Sequence, residues 1–346
     1  MDLETLVRVG VAASGVTPVG ARTARDRYGS WAAAARRAPA DCDVPPRLRE
    51  VFAEAERLGT AVLERCAACG VEPWLRGSAD WPEGLEQLTD PPELLFTRGR
   101  RAALRVPAVA FVGSREASPD GTRWTDSAAA ELAAAGWLVG SGLARGIDTA
   151  AHRGASAEGT TFAVLGCGPD VPYPPENRAL QHRIGEEGVL VSEFPPGSPP
   201  RGHHFPRRNR ILAALVEAVV VVECRLRSGA LVTARHALDL GREVFAVPGF
   251  PGTDLAEGPL RLIRDGARPV RHAEDLLEDL GGIPGDRFAR TPASADAADA
   301  PEDPGAGASS EEELADRLGV DPATAREEWA RRELLGQVGS RRPFLG

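Results

Sequence analysis

From residue 108 to residue 247 the chain alternates short apolar runs with helical stretches, and this alternation constrains the fold more than any other feature. The runs at 108–113, 137–140, 161–165, 188–191, 218–222 and 243–247 are apolar almost throughout, as strands buried on both faces are. Between them, residues 119–135, 146–157, 175–184, 207–217 and 229–240 have helical spacing. Five successive strand–helix–strand units predict an α/β fold, a Rossmann-like doubly wound parallel sheet.

The flanks have a different character. Residues 1–74 read as an N-terminal helical domain: Leu3–Ala13 is apolar at helical spacing, Gly15-Val-Thr-Pro18 turns the chain, and Val19–Tyr28 follows. Two short helices about a glycine turn are either a helix-hairpin-helix, whose turn amides hold a DNA phosphate, or a plain SAM-like bundle. Asp80-Trp-Pro82 and Asp90-Pro-Pro92 make 75–105 an extended connector into the sheet, so that 75–283 forms one domain. Residues 284–308, rich in Pro, Ala, Asp, Gly and Ser without apolar periodicity, read as a flexible linker. Beyond it, Ser309 and Ser310 precede Glu311–Glu313 as a capped helix start, and Gly319-Val-Asp-Pro322 turns into a second helix. Residues 309–346 are thus expected to form a C-terminal winged-helix-like domain.

Composition narrows the chemistry. All 41 basic residues are arginine. Without lysine there is no Schiff base and no P-loop lysine, which excludes a pyridoxal-phosphate enzyme and argues against a protein kinase. The net charge of −9 sits entirely at the C-terminal end: residues 1–271 carry 33 Arg and 33 acids, residues 272–346 carry 8 Arg and 17 acids. A neutral body is free to bind a polyanion through local arginine clusters. An acidic C-terminal module is expected to repel such a polyanion, or to compete with it for the arginines, rather than hold it. Five cysteines, an odd number scattered over a long chain, suit a reducing compartment. Cys66 and Cys69 form one CxxC without a second pair, so no metal is expected. An acidic start at Asp2 and Glu4, and an apolar stretch no longer than Ile211–Val222, predict a cytoplasmic protein without a membrane span.

In doubly wound sheets ligands collect at the carboxyl ends of the strands. Those ends read Val112-Gly113-Ser114-Arg115, Ser141-Gly142-Leu-Ala-Arg145-Gly146, Leu165-Gly-Cys-Gly168, Ser192-Glu193 and Glu223-Cys-Arg225. Small residues let a phosphate approach helix amides, and arginine adds a bidentate charge. The glycine pattern is not the dinucleotide fingerprint and no acid ends the next strand, so no nicotinamide or flavin cofactor is expected. The segment Phe194–Val216 contains no acid but holds Arg201, Phe205, Arg207, Arg208, Asn209 and Arg210. Arginines with an aromatic among them suit single-stranded nucleic acid, neutralising phosphates while a base stacks. The competing reading is an arginine-rich helix start paired with acids elsewhere in the chain.

Several of these segments recur together in one known family. Gly113-Ser-Arg115, Ser141-Gly-Leu-Ala-Arg-Gly-Ile-Asp148, Tyr173-Pro-Pro-Glu-Asn177, Ser192-Glu-Phe194, Phe205-Pro-Arg-Arg-Asn-Arg210, Arg227-Ser-Gly-Ala-Leu-Val-Thr233 and Val247-Pro-Gly249 stand in order and spacing. Over about residues 75–270 the chain strongly resembles the DNA-processing protein A family (DprA, also called Smf). The resemblance implies a non-enzymatic protein, usually a homodimer, that protects single-stranded DNA and helps load RecA recombinase onto it in transformation or recombination. It places DNA in a basic pocket at the strand ends, matching Gly113, Ser114, Arg115, Arg145, Phe205, Arg207, Asn209 and Arg210. Two positions depart from the family pattern: Gly202 stands where some members have lysine, with Arg201 one earlier, and Leu260 stands where Asn or His is frequent. The alternative is an enzyme, a nucleoside-monophosphate phosphoribohydrolase of the lysine-decarboxylase-like type. Such enzymes carry PGGxGTxxE at the turn that here reads Arg227–Thr233, with no glutamate before Glu243. A transcription regulator acting through 309–346 leaves the dense central motifs unexplained.

Overall fold

The structure, a computed structural model, describes residues 2–281. The linker and winged helix expected over 284–346 lie outside these residues.

Four helices lead: α1 (Leu3–Ala13), α2 (Pro18–Tyr28), α3 (Trp31–Arg37) and α4 (Pro46–Cys69). Their starts follow from local chemistry. Asp2, Thr17 and Ser30 accept the amides of Thr5, Gly20 and Ala33, satisfying donors that have no partner inside the helix. The bundle closes over Val7, Val11, Trp31 and Phe52.

The segment expected as an extended connector is instead part of the sheet. β1 (Glu72–Leu75) takes the end of the segment expected to be helical, and the connector itself contains the short α5 (Glu83–Glu86) and β2 (Leu94–Gly99). β2 pairs antiparallel with β1 and with a later strand through Phe96 and Ser192. Leu94 and Phe96 pack under Val9 and Val62 of the bundle, while Leu95 faces the main core. The buried Glu93 carboxylate, next to β2, meets Arg8 at 3.0 Å and Arg22 at 3.2 Å, so the helical bundle is also tied to the sheet by charge.

The remaining chain alternates as expected: β3 (Ala108–Val112), α6 (Pro119–Ala134), β4 (Leu138–Ser141), α7 (Ile147–Glu158), β5 (Thr161–Leu165), α8 (Arg178–Glu187) and β6 (Val189–Ser192). α9 (His204–Ala214), β7 (Ala218–Val221), α10 (Gly229–Asp239), β8 (Glu243–Ala246), α11 (Glu257–Arg264), β9 (Arg268–Pro269) and α12 (Ala273–Asp279) complete it. The nine strands lie in the order β1-β2-β6-β5-β4-β3-β7-β8-β9. All pairings from β3 onward are parallel, so the sheet is mixed but parallel-dominated and Rossmann-like. Val109 and Phe111 pack against α6 and α7, while Ala108, Ala110 and Val112 pack against α9 and α10. That two-sided burial is why the strands read as unbroken apolar runs. Truncating the fully buried Phe111 to alanine costs about 3–5 kcal/mol by lost burial and cavity formation.

The chain steps from β3 outward through β4, β5 and β6, then returns to lay β7 on the other side of β3. This reversal opens a crevice beyond the carboxyl ends of β3, β4 and β7, where ligands of open α/β sheets bind.

Candidate nucleic-acid interface

The crevice is a cleft of about 730 Å³. Its wall after β3 is the loop Gly113-Ser114-Arg115-Glu116, stiffened by the Ser114 hydroxyl accepting the Glu116 amide at 3.0 Å. The loop ends at Ser118, the N-cap of α6. Glu223, just beyond β7, accepts both the Ser118 amide (2.8 Å) and its hydroxyl (2.6 Å). This strand-end carboxylate therefore anchors the helix start rather than pairing with Arg115. Arg115 extends over the ring of Phe205, with its Cζ 5.4 Å from the ring centroid.

Beyond β4 the chain turns tightly. Ser141 is fully buried and donates to Phe111 O at 2.7 Å, which fixes β4 to β3 and keeps its hydroxyl from any ligand. Gly142 admits the Arg208 guanidinium, since a Cβ there would stand 2.1 Å from Nη1. Gly146 takes φ +74° where the turn backs onto Ser114, a backbone angle that glycine adopts without strain. Asp148 accepts the Gly142 and Ala144 amides, both at 3.2 Å, and Asn177 Nδ2 donates to Leu143 O at 2.9 Å. With both sides held, Arg145 is presented outward, 3.9 Å from Glu176.

Helix α9 brings the arginine-rich segment to the cleft, but its faces differ. Arg208 is buried beneath the cleft and donates to Val164 O and, at 3.1 Å, to Asn209 Oδ1. Burial pushes its pKa down and that of the buried Asp148 up, and the opposite charges of the two groups offset each other's shift. Asn209 Nδ2 donates to Gly229 O at 3.2 Å, joining α9 to the start of α10. Arg207 and Arg210, expected beside these residues, face elsewhere. Arg207 grips Glu193 in a bidentate pair at 2.9 and 2.8 Å, and Arg210 reaches the same carboxylate at 2.6 Å and Asp90 O at 2.7 Å. These two arginines lock α9 onto the end of β6 and the lead into β2. Their partner is the acid just outside the acid-free segment.

Of the expected site residues, the cleft gathers Gly113, Ser114, Arg115, Arg201, Phe205, Arg208 and Asn209. Gly142 and Arg145 line an adjoining cavity of about 220 Å³, which shares Arg115, Phe205 and Tyr173 with the cleft. Ser141, Arg207 and Arg210 lie outside both, and Gly146 lines a third hollow beside Arg145. The residues expected to contact DNA did not include Arg225 and Arg227, which line the cleft from the loop after β7, although Arg225 was read among the strand-end residues. Their position beyond a strand's carboxyl end was the available signal. Tyr173, also missed, sits 5.5 Å from Phe205 between ring centroids.

Five arginines and two acids line the cleft, and one of those acids is the buried Asp148. Among the described residues, the exposed Arg115, Arg201 and Arg227 side chains make no ion pair. Exposed, unpaired guanidinium groups around an aromatic face suit an extended polyanion with stacking bases. Acid–base or nucleophilic chemistry finds less support. Glu193 and Glu223 are both engaged, and burial pushes the Cys167 and Cys224 thiols up to about 12. Among the described residues no group of His, Cys, Asp or Glu is placed to hold a metal ion, and no helix is long and apolar enough to cross a membrane.

A family profile described as DNA recombination-mediator protein A matches residues 73–281. The chain is similar to protein Smf of Synechocystis, 42% identical over 210 residues that cover 59% of this chain and 53% of that relative. The match thus spans about half that relative's length. Among solved structures it is similar to DNA processing protein A from Streptococcus pneumoniae, with a TM-score of 0.66, 34% identity and coverage of 78% of this chain and 95% of that one. It is also similar to DNA processing protein A from Helicobacter pylori, described for its single-stranded DNA binding mode. There the TM-score is 0.56, the identity 27% and the coverage 61% and 95%.

Proposed function

Since the chain belongs to the DNA recombination-mediator protein A family, we propose that it binds single-stranded DNA in the strand-end cleft. In this reading it is a non-enzymatic cytoplasmic homodimer that protects the strand and helps load RecA recombinase during transformation or recombination. The observation that carries the reading is Arg115 lying over Phe205 at the cleft rim with no acid partner among the described residues. It combines a charge for a phosphate with a face for a base, the two elements of sequence-tolerant single-strand binding. The single-strand binding for which the Helicobacter pylori relative is described supports the same assignment. Phosphates are contacted by Arg115, Arg201, Arg225 and Arg227, while Gly113 and Ser114 give the backbone close approach. Arg208 and Asn209 hold the cleft floor in shape.

The phosphoribohydrolase alternative needs a free carboxylate at the glycosidic bond, and the strand-end glutamates here are committed to Ser118 and to two arginines. The test has two arms. Labelled oligo-dT is titrated with the protein, and RecA assembly on oligo-dT coated with single-strand-binding protein is followed with and without it. Saturable binding and faster RecA assembly are expected. Absence of binding, or release of free base from nucleoside monophosphates, contradicts the reading.

A further inference from the structure

Beyond the cleft, a groove of about 440 Å³ runs between α6 and α7, lined by three arginines from two walls. Arg123 comes from α6, Arg153 from α7, and Arg145 from the turn before α7. The lining contains one acid, Asp126. All three arginines are exposed. Arg123 pairs only with Asp120, one turn away on a solvent-facing surface, and Arg145 stands 3.9 Å from an equally exposed Glu176. Such surface pairs are worth little in water and yield readily to a phosphate. Arg153 makes no ion pair among the described residues.

The groove neighbours the cleft through shared lining residues. Arg115 and Phe205 line both the cleft and the adjoining cavity, and Arg145 lines both that cavity and the groove. Exposed arginines therefore follow one another from Arg201 and Arg227 through Arg115 and Arg145 to Arg153, with the exposed Glu116 and Glu176 beside them. On the opposite rim Arg225 likewise meets an exposed acid, Asp254, at 3.6 Å. A polyanion leaving the cleft along the first path meets three further arginines, Arg145, Arg123 and Arg153. Gly146, the N-cap of α7, and Thr149, in its first turn, also line the groove, so the positive end of that helix dipole adds to the field there.

We propose that single-stranded DNA held in the cleft continues past Arg145 into the α6–α7 groove, whose arginines bind the phosphates of the outgoing strand. The inference rests on the single-strand reading of the cleft and assigns the groove to the same ligand. It divides the binding surface into a cleft that a short strand fills and a groove that only a longer strand reaches.

The test uses the full chain, with labelled oligo-dT of about 6 and about 20 nucleotides, lengths chosen around usual single-strand site sizes. Arg153→Glu should weaken binding of the longer strand about five- to tenfold and lower its salt slope by about 0.7 for each phosphate no longer neutralised. Binding of the shorter strand should stay unchanged, which also reports an intact fold. Asp126→Asn should tighten the longer strand alone. Equal losses on both lengths, or no loss on either, overturn the groove assignment and leave the cleft reading standing. Failure of the unmodified protein to bind either strand overturns both.

Discussion

The guanidinium of Arg115 lies over the face of Phe205, 5.4 Å from the ring centroid, and Tyr173 approaches the same ring at 5.5 Å. The arginine side chain needs no carboxylate to hold it in place, because the ring orients it while leaving its charge free for a phosphate. Phe205→Ala and Arg115→Ala should each weaken single-strand binding by about 1–3 kcal/mol. The double variant should lose less than the sum, since the ring positions the charge. Anisotropy on the folded variants measures all three. Additive losses would mean that the two residues act independently.

Arg210 makes the opposite case. Although it belongs to the arginine-rich segment, its guanidinium is committed to Glu193 and Asp90 O, away from the cleft. Arg210→Ala should destabilise the fold by about 1–3 kcal/mol in urea melts, because it strips one partner from a buried carboxylate. Arg207 still neutralises Glu193, which limits the damage. Oligo-dT affinity of the folded variant should match that of the unmodified chain. A large affinity loss without a stability loss would return Arg210 to the DNA surface.

This contrast marks how far the sequence was legible. β3 to β8 were readable because burial on both faces writes an apolar run into each strand. β1 and β2 were not, because Pro73 lies within the four-residue run Glu72–Leu75, Pro82, Pro91 and Pro92 stand between it and β2, and the inner partner of β2, β6, lies far along the chain. The composition of the Phe194–Val216 segment pointed to a polyanion, but composition does not say which way each arginine faces. Helical geometry separates them: Arg207 and Arg210, three residues apart, share the face toward Glu193, whereas Arg208 turns inward beneath the cleft. Arg225 and Arg227 stand on a loop, where no periodicity marks a shared face, and only the strand order brings them beside Arg115.

Gly142 permits the buried Arg208 to approach the backbone. Gly142→Ala would place a Cβ 2.1 Å from Nη1, so either the guanidinium leaves its bond to Val164 O or the turn shifts. The expected cost is about 1–3 kcal/mol of stability, with weaker oligo-dT binding as the cleft floor is disturbed. A variant with unchanged melting and unchanged affinity would show that this packing does not matter.

His152 sets a pH dependence of stability. Fully buried, it donates from Nδ1 to Thr161 Oγ1 at 2.7 Å, whose own proton goes to Val139 O at 2.7 Å, and Nε2 has no partner. Burial lowers its pKa from 6.5 to about 3. The folded state therefore resists a proton that the unfolded chain accepts. The stability contributed by the neutral ring is full above pH 6.5 and is lost as pH falls toward 3, by up to about 1.4 kcal/mol per pH unit. Urea midpoints over this range should fall, and His152→Leu should flatten that part of the slope. An identical slope in the variant would assign the effect to other groups.

The most direct measurement is fluorescence anisotropy of labelled oligo-dT against duplex of equal length, each titrated across a salt series. A clear preference for the single strand is expected, with log affinity falling steeply and linearly with log salt as arginine–phosphate contacts release counterions. Equal affinity for duplex, or an affinity indifferent to salt, would contradict the assignment of the Arg115–Phe205 cleft to single-stranded DNA.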